Sequence, residues 1–192
     1  MGNDPIVGAG VKMKLTNKII FITGVHGVGK SSLSKMLQRE FGIRPYTASE
    51  IIRNSINLSS DKLVESIAEN QLVLLREISK IRIQHNTFIL DGHLVLLDKN
   101  MTPTPIDIGV VVEISPSVIV FVNDAPDKIA RRLRKRDKTH NDISLISAMQ
   151  DLERSTALRY CKALDIPFVD VNFQSKAEDS LSNLSKWVST NL

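Results

Sequence analysis

The chain is poor in everything that would mark it as secreted, membrane-bound or metal-stapled. Its 192 residues hold one cysteine, Cys161, which excludes an internal disulfide. Set in a helical pattern, Cys161 reads as a small buried hydrophobe and not as a reactive thiol. No run approaches the eighteen apolar residues of a membrane span. No basic start followed by a long apolar stretch marks a secretory signal. These absences make the cytoplasm the expected compartment. Cys and His show no zinc spacing, and no Ser-His-Asp set can be assembled. There is no internal repeat and no low-complexity tract. At 42% apolar residues, the chain has the material for a packed core, and its length fits one domain.

Excess positive charge is also scarce outside one place. The formal net charge is +4. Seven cations between Lys128 and Lys138 (Lys128, Arg131, Arg132, Arg134, Lys135, Arg136 and Lys138) oppose only Asp137, so this stretch carries +6 and the remainder about −2. A nucleic-acid surface needs a wider spread of cations. One compact cluster fits a local anionic ligand, or else a solvated helix face.

Hydrophobic period then divides the chain. Residues 1–17 have no clear period and are expected to be a flexible arm or appended residues, with Met13 as the natural start; residues 18–192 form the expected single domain. Short apolar, β-branched runs at Lys18–Thr23, Thr87–Leu90, Val118–Val122 and Pro167–Val171 predict buried strands, and Arg44–Ala48 is a candidate fifth. Between them, period 3.6 predicts helices over Ser31–Phe41 with Gly42 as C-cap, from Ser49 to about Asn57, and a longer one capped by Ser60 or Asp61 with Leu63, Ile67, Leu74, Leu75 and Ile78 inward. Further helices are predicted from Pro126, over Ser144–Leu164 with Ile146, Met149, Leu152 and Leu158 inward, and over about Lys176–Val188. His93–Thr104 reads as a hairpin excursion around Lys99-Asn100. Strands alternating with helices imply a parallel sheet covered on both faces. Ligands of such sheets sit beyond the carboxyl ends of the strands, which selects Gly24–Ser31, Asp91 and Asn123-Asp124.

Residues 24–31 read GVHGVGKS and match G-x-x-x-x-G-K-[ST]. Glycines let the backbone wrap so that N–H groups converge on phosphate oxygens, and the following helix N-terminus adds its partial positive charge. The expected nucleotide contacts are Gly24, His26, Gly27, Val28, Gly29, Lys30, Ser31 and Ser32, with Lys30 on the β- and γ-phosphates and Ser31 on Mg²⁺. Such a match arises by chance in about one chain in a hundred of this length, and here it lies between a buried strand and an amphipathic helix, as the motif requires.

The loop, GxxGxGKS, resembles that of small P-loop kinases such as adenylate kinase. Three further segments carry the resemblance, over roughly residues 18–172: TASEIIR at Thr47–Arg53, FILDG at Phe88–Gly92, and DKIARRLRKRDKTHND at Asp127–Asp142. DGH at Asp91–His93 with RRLRKRD is closest to archaeal-type adenylate kinases and the nuclear adenylate-kinase-like ATPases. The resemblance implies a P-loop nucleoside triphosphate hydrolase fold: a three-layer α/β sandwich with a five-stranded parallel sheet, order 2-3-1-4-5, and a short lid near 132–142. It implies an acceptor-binding segment near 47–86, ATP and Mg²⁺ as cofactors, and a nucleoside monophosphate as acceptor. By residue, it implies Asp91 on Mg²⁺ through water, Arg53 and His93 on the acceptor, and Arg132 (with Arg131 as a second candidate for that place), Arg136 and Arg154 on phosphates. Taken alone, Arg53 reads as a surface helix residue, Asp91 as a cap, and His93 as a satisfied turn histidine. Two positions depart from the family pattern: Val95 stands where bacterial-type enzymes carry a monophosphate-gripping Arg, and His140 where a lid Arg is expected. Both leave room for a kinase of another small acceptor, or for an ATP-switched binding or assembly protein with slow ATPase activity. No protein partner is indicated.

Overall fold

The computed structural model describes residues 17–58, 67–98, 100, 102–137, 142–173 and 177–192. Residues 1–16 of the expected N-terminal arm, the expected Ser60/Asp61 cap with Leu63, Lys99 of the expected hairpin, His140 of the expected lid and Lys176 lie outside the described residues.

Five short strands carry the apolar runs: β1 (Lys18–Thr23), β2 (Arg44–Thr47), β3 (Thr87–Asp91), β6 (Val118–Asn123) and β7 (Phe168–Asn172). All pair in parallel, in the order β2-β3-β1-β6-β7. Counted within this sheet alone, that is 2-3-1-4-5. The chain-order labels differ because a small antiparallel hairpin, β4 (Val95–Leu97) with β5 (Pro103–Pro105), interrupts between the third and fourth sheet strands.

The pleat sends alternate side chains into two separate cores. One face takes Ile20, Ile22, Ile89, Val118, Val120 and Val122, packed under α1 (Lys30–Phe41), α5 (Pro126–Asp137) and α7 (Ala177–Asn191) through residues such as Leu33, Leu37, Ile129, Leu133, Leu184 and Val188. The other takes Ile19, Phe21, Phe88, Leu90 and Ile119 under α3 (Ile67–Gln84), α4 (Ile108–Ile114) and α6 (Ile143–Leu164), through Ile78, Val111, Ala157 and Tyr160. Because both faces are covered, the central strands read as continuous apolar runs and not as alternation.

The helix ends follow the chemistry of their caps. Gly42 closes α1 in the left-handed region (φ 70°), its N–H donating to Gln38 O at 2.9 Å. Asp142 caps α6 by accepting from Ser144 N at 2.8 Å. Two expectations need correction, and one helix was not among them. Helix α2 (Ala48–Leu58) begins one residue before Ser49, so Ser49 is in the first turn and not the cap. Helix α4 was not predicted, because its Val110-Val111-Val112 run favours extended backbone locally; the Asp107 cap and burial of Val111 and Ile114 override that preference. Leu158 is 39% exposed: the inward side of α6 is occupied at that level by Thr156, Ala157 and Tyr160.

Cys161 is buried and free, and burial pushes its thiol up to about 11, as expected of a packing residue. No helix among the described residues is long and apolar enough to cross a membrane.

The sheet's dependence on its centre is measurable. Ile20→Ala empties a site of 0% exposure on β1 and should cost about 2–5 kcal/mol in urea denaturation. Ile83→Ala, at a position 87% exposed, should change stability by less than about 0.5 kcal/mol.

Candidate active site

The carboxyl ends of β1, β3 and β6 lie side by side, and the site is built on them. After Thr23 the chain wraps through Gly24, Gly27 and Gly29, all at positive φ (145°, 77° and 121°). At Gly24 the reason is also steric: a Cβ there would lie 2.4 Å from the Val122 carbonyl oxygen of β6. Val28 is fully buried, so its side chain anchors the loop in the core while its backbone stays in the wrap. Helix α1 begins at Lys30, its N-terminus facing the loop.

Lys30 folds back under this wrap and is only 7% exposed. Its ammonium donates to the carbonyls of Gly24 (2.8 Å) and Val25 (3.2 Å) and stands 3.9 Å from Asp91 Oδ1. Burial holds the Lys30 ammonium below its ordinary range, and the Asp91 and Glu153 carboxylates oppose that. Asp91 ends β3, in register with Ile22 and Thr47 of the neighbouring strands. Its Oδ2 accepts from the Ser31 hydroxyl at 3.2 Å. Burial raises the Asp91 carboxyl, while Lys30 and then Ser31 pull it down. A hydroxyl and a carboxylate side by side are the hard oxygen donors that suit Mg²⁺, which otherwise keeps waters and phosphate oxygens.

His93 follows two residues after Asp91, with Nε2 3.5 Å from Lys30 Nζ. Burial first, then the charges of Lys30 and His26, push its imidazole down to about 3, so it is neutral at physiological pH. His26, in the loop, lies 6.1 Å away between ring centroids. Burial and then Arg136 lower its value too, and a neutral His26 accepts from Arg136 at Nε2.

Two of the basic cluster's arginines face this site. Arg132 pairs with the buried carboxylate of Asp124, beyond β6, and its Nη1 donates to Val28 O at 3.3 Å. Arg136 reaches His26 and pairs with Asp137. Both line a cleft of about 540 Å³ together with Gly27, Gly29, Lys30, Ser31, Ser32, Asp91 and His93. The far wall comes from β2, α2, α3 and the segments around the hairpin: Thr47, Ala48, Ser49, Ile52, Asn70, Gln71, Leu74, Leu96, Ile106 and Val110. It contains no charged side chain among the described residues, and Asn70 Oδ1 is buried there without a hydrogen-bond partner.

Two expected phosphate ligands are not in this cleft. Arg154 turns away: its Nε donates to Asp170 Oδ2 at 3.0 Å and its guanidinium lies 5.9 Å from the Phe168 ring centroid. Arg53 is exposed on α2, where Ile52 takes the inward direction; adjacent helical residues point about 100° apart. Conversely, two buried polar residues behind the cleft were missed. Glu153 is 1% exposed, and its Oε1 accepts from Gly24 N (3.2 Å), Leu94 N (2.8 Å) and the Thr23 hydroxyl. Gln150, one turn earlier, exchanges two hydrogen bonds with the backbone of Asp124. A polar i, i+3 pair on α6 is indistinguishable in sequence from a solvated face.

The neutral His93 predicts an acid-side signature. Its folded value lies below the ordinary 6.5, so the unfolded chain takes the proton first and stability is lost as pH falls from 6.5 toward 3. The raised carboxyls Asp91 and Glu153 act in the opposite sense, their contribution being lost as pH rises through their folded values. Comparison with His93→Asn isolates the imidazole. The parent should lose up to about 1.4 kcal/mol more per pH unit than the variant on the acid side, measured by denaturation between pH 6 and 4; parallel curves would show a solvated, titrating His93.

Comparison with known proteins bears on the family and the fold. The family described as AAA domain matches residues 23–149, from the end of β1 into α6. An adenylate kinase of Pyrococcus abyssi is 27% identical over 158 residues, 74% of this chain and 79% of its own length. Human adenylate kinase isoenzyme 1 is 25% identical over 146 residues, 69% of this chain and 70% of its own. A relative from Methanocaldococcus jannaschii that carries an adenylate kinase name is 29% identical over 118 residues, 61% of this chain, and the alignment spans 58% of that relative. Among solved structures, a shikimate kinase from Bacteroides thetaiotaomicron superimposes with a TM-score of 0.56 at 18% identity, covering 90% of this chain and 98% of its own. A gluconokinase from Sinorhizobium meliloti does so with 0.52 at 16% identity, covering 92% and 95%; these two likenesses show the fold. With more than half of its length matched, the chain belongs to the AAA domain family and is a P-loop phosphotransferase, similar in sequence to adenylate kinases.

Proposed function

We propose that this protein transfers the γ-phosphoryl group of ATP, with Mg²⁺, to a nucleoside monophosphate, AMP or a dNMP: ATP + NMP ⇌ ADP + NDP. One observation carries the reading. A single cleft joins a cationic end, at the phosphate loop, to an uncharged end walled by α2 and α3, and Ser31 and Asp91 stand at the junction. Two substrates entering from opposite ends would meet there. The adenylate kinase names of the sequence relatives support a nucleotide on both sides.

In this reading Lys30 leaves its loop carbonyls to hold the β- and γ-phosphates. Ser31 and Asp91 are the residues that would hold Mg²⁺; when bound, the ion supplies charge neutralisation between phosphate oxygens. Arg132 and Arg136 offset the charge of the transferring group, so the chain acts by positioning and electrostatics and supplies no covalent nucleophile. His93 bears on the junction as a neutral hydrogen-bonding group. Closure of the lid, residues 132–142, excludes water so that transfer prevails over hydrolysis. The single kinase domain spans 18–192, and the small-molecule acceptor and single cysteine fit the cytoplasm.

A second reading is a kinase for another small acceptor. Val95 in place of a gripping Arg, together with Arg53 outside the cleft, favours it, because the acceptor end then shows no cation among its described lining residues.

A coupled assay across all NMPs and dNMPs, with a no-acceptor control, separates the readings. Stimulation of ADP formation by a monophosphate supports the first. Stimulation only by a non-nucleotide acceptor supports the second, and acceptor-independent hydrolysis alone would support an ATP-switched protein. Lys30→Ala should lower turnover about 10²–10³-fold in whichever reaction is found. Arg136→Ala should depress transfer and basal hydrolysis together, since its partner is the ATP phosphates in both. Arg53→Lys and Arg53→Ala should change transfer less than about threefold if the residue stays outside the cleft, while a large rise in acceptor KM would show that α2 rotates it inward.

A further inference from the structure

We infer that Glu153 is a positioning residue that registers the phosphate loop against the His93 turn, with Gln150 extending the same register to the Asp124 segment. The inference rests on the phosphotransferase reading of the site.

A carboxylate at 1% exposure costs desolvation that only hydrogen bonds or counter-charges can offset. The hydrogen bonds to Glu153 come from the end of β1 and from the turn that leads from β3 into β4, the Val95 backbone of β4 included. Thr23 and Gly24 close β1 and open the phosphate loop, and Leu94 follows His93. Thr23, Gly24 and Leu94 all meet one oxygen, Oε1, so the two segments are fixed relative to a single point. Both are in turn joined to Lys30, through the Gly24 carbonyl at 2.8 Å and His93 Nε2 at 3.5 Å. Burial pushes the Glu153 carboxyl up, and its donors and Lys30 pull it down.

One turn earlier, the Gln150 amide accepts from Asp124 N at 3.2 Å and donates to Asp124 O at 3.0 Å. The Asp124 carboxylate holds Arg132, whose other nitrogen bonds Val28 O of the loop. One face of α6 therefore joins the ends of β1 and β6 to the turn that leads from β3 into β4. Glu153 and Gln150 are placed too deep to touch a substrate, so they act through the residues that do.

Phosphate affinity is local to Lys30 and the loop, whereas transfer requires the loop, Asp91 and His93 in mutual alignment. Loss of register should therefore appear in kcat and not in ATP binding, and misplacement by about 1 Å can cost on the order of 10²-fold in rate. Glu153→Leu keeps volume and removes the acceptor. It should lower kcat about ten- to a hundredfold while the ATP Kd, from equilibrium titration, stays within about threefold. Glu153→Gln retains one acceptor oxygen and should restore most of that loss. If Glu153→Leu fails to fold, Glu153→Gln decides alone, with kcat reduced severalfold at unchanged Kd; a parent-like kcat overturns the proposal. So does a fall in ATP affinity matching the fall in kcat.

A readout independent of activity is the backbone amide spectrum. The Gly24 and Leu94 amide protons should be exchange-protected in the parent, lose protection together in Glu153→Leu and keep most of it in Glu153→Gln, with the His93 imidazole resonances shifting alongside in Glu153→Leu. Independent behaviour of the two amides would contradict a shared register. A parent that shows this coupling yet transfers no phosphate would overturn the proposed activity and not the role of Glu153.

Discussion

A lysine that is 7% exposed governs the arrangement of this molecule. Burying an ammonium is costly unless it is surrounded by acceptors and counter-charge. Here the acceptors are the loop's own carbonyls, at Gly24 and Val25, and the counter-charge is Asp91 with Glu153 behind it. With His93 neutral, this inner group has one cation and two carboxylates, and its cationic contribution from outside comes from Arg132 and Arg136. A polyanionic phosphate chain entering between them finds Lys30 already desolvated, its ammonium exchanging the loop carbonyls for phosphate oxygens.

The sheet makes that arrangement available. Parallel pairing brings the carboxyl ends of β1, β3 and β6 to one edge, and the segments leaving those ends supply the phosphate loop, Asp91 with His93, and Asp124. The two apolar cores hold the strands from both faces. Helix α6 spans the second core and returns a polar pair to the strand ends, so the packing element and the site share a helix.

How much of this could be read from the residues alone depended on whether the constraint was local. The phosphate loop was legible because its glycine spacing answers to backbone conformation, and Asp91 because it ends a buried strand. Strand placement and the fold class followed from apolar runs. Side-chain direction on helices was not legible. Glu153 and Arg154 are neighbours about 100° apart, and the cation drew attention as a phosphate ligand while the carboxylate went inward; Ile52 and Arg53 divide in the same way. Helix α4 was hidden by its β-branched run, since capping and burial outweigh propensity there.

The claim that Lys30 makes this cleft a preorganised phosphate site is tested most directly by ligand-linked thermal stability. A ligand that binds only the folded state raises the melting temperature with concentration. MgATP should raise the parent's melting temperature progressively, and should leave that of Lys30→Ala nearly unmoved at concentrations saturating for the parent. Equal shifts in the two proteins would contradict the account.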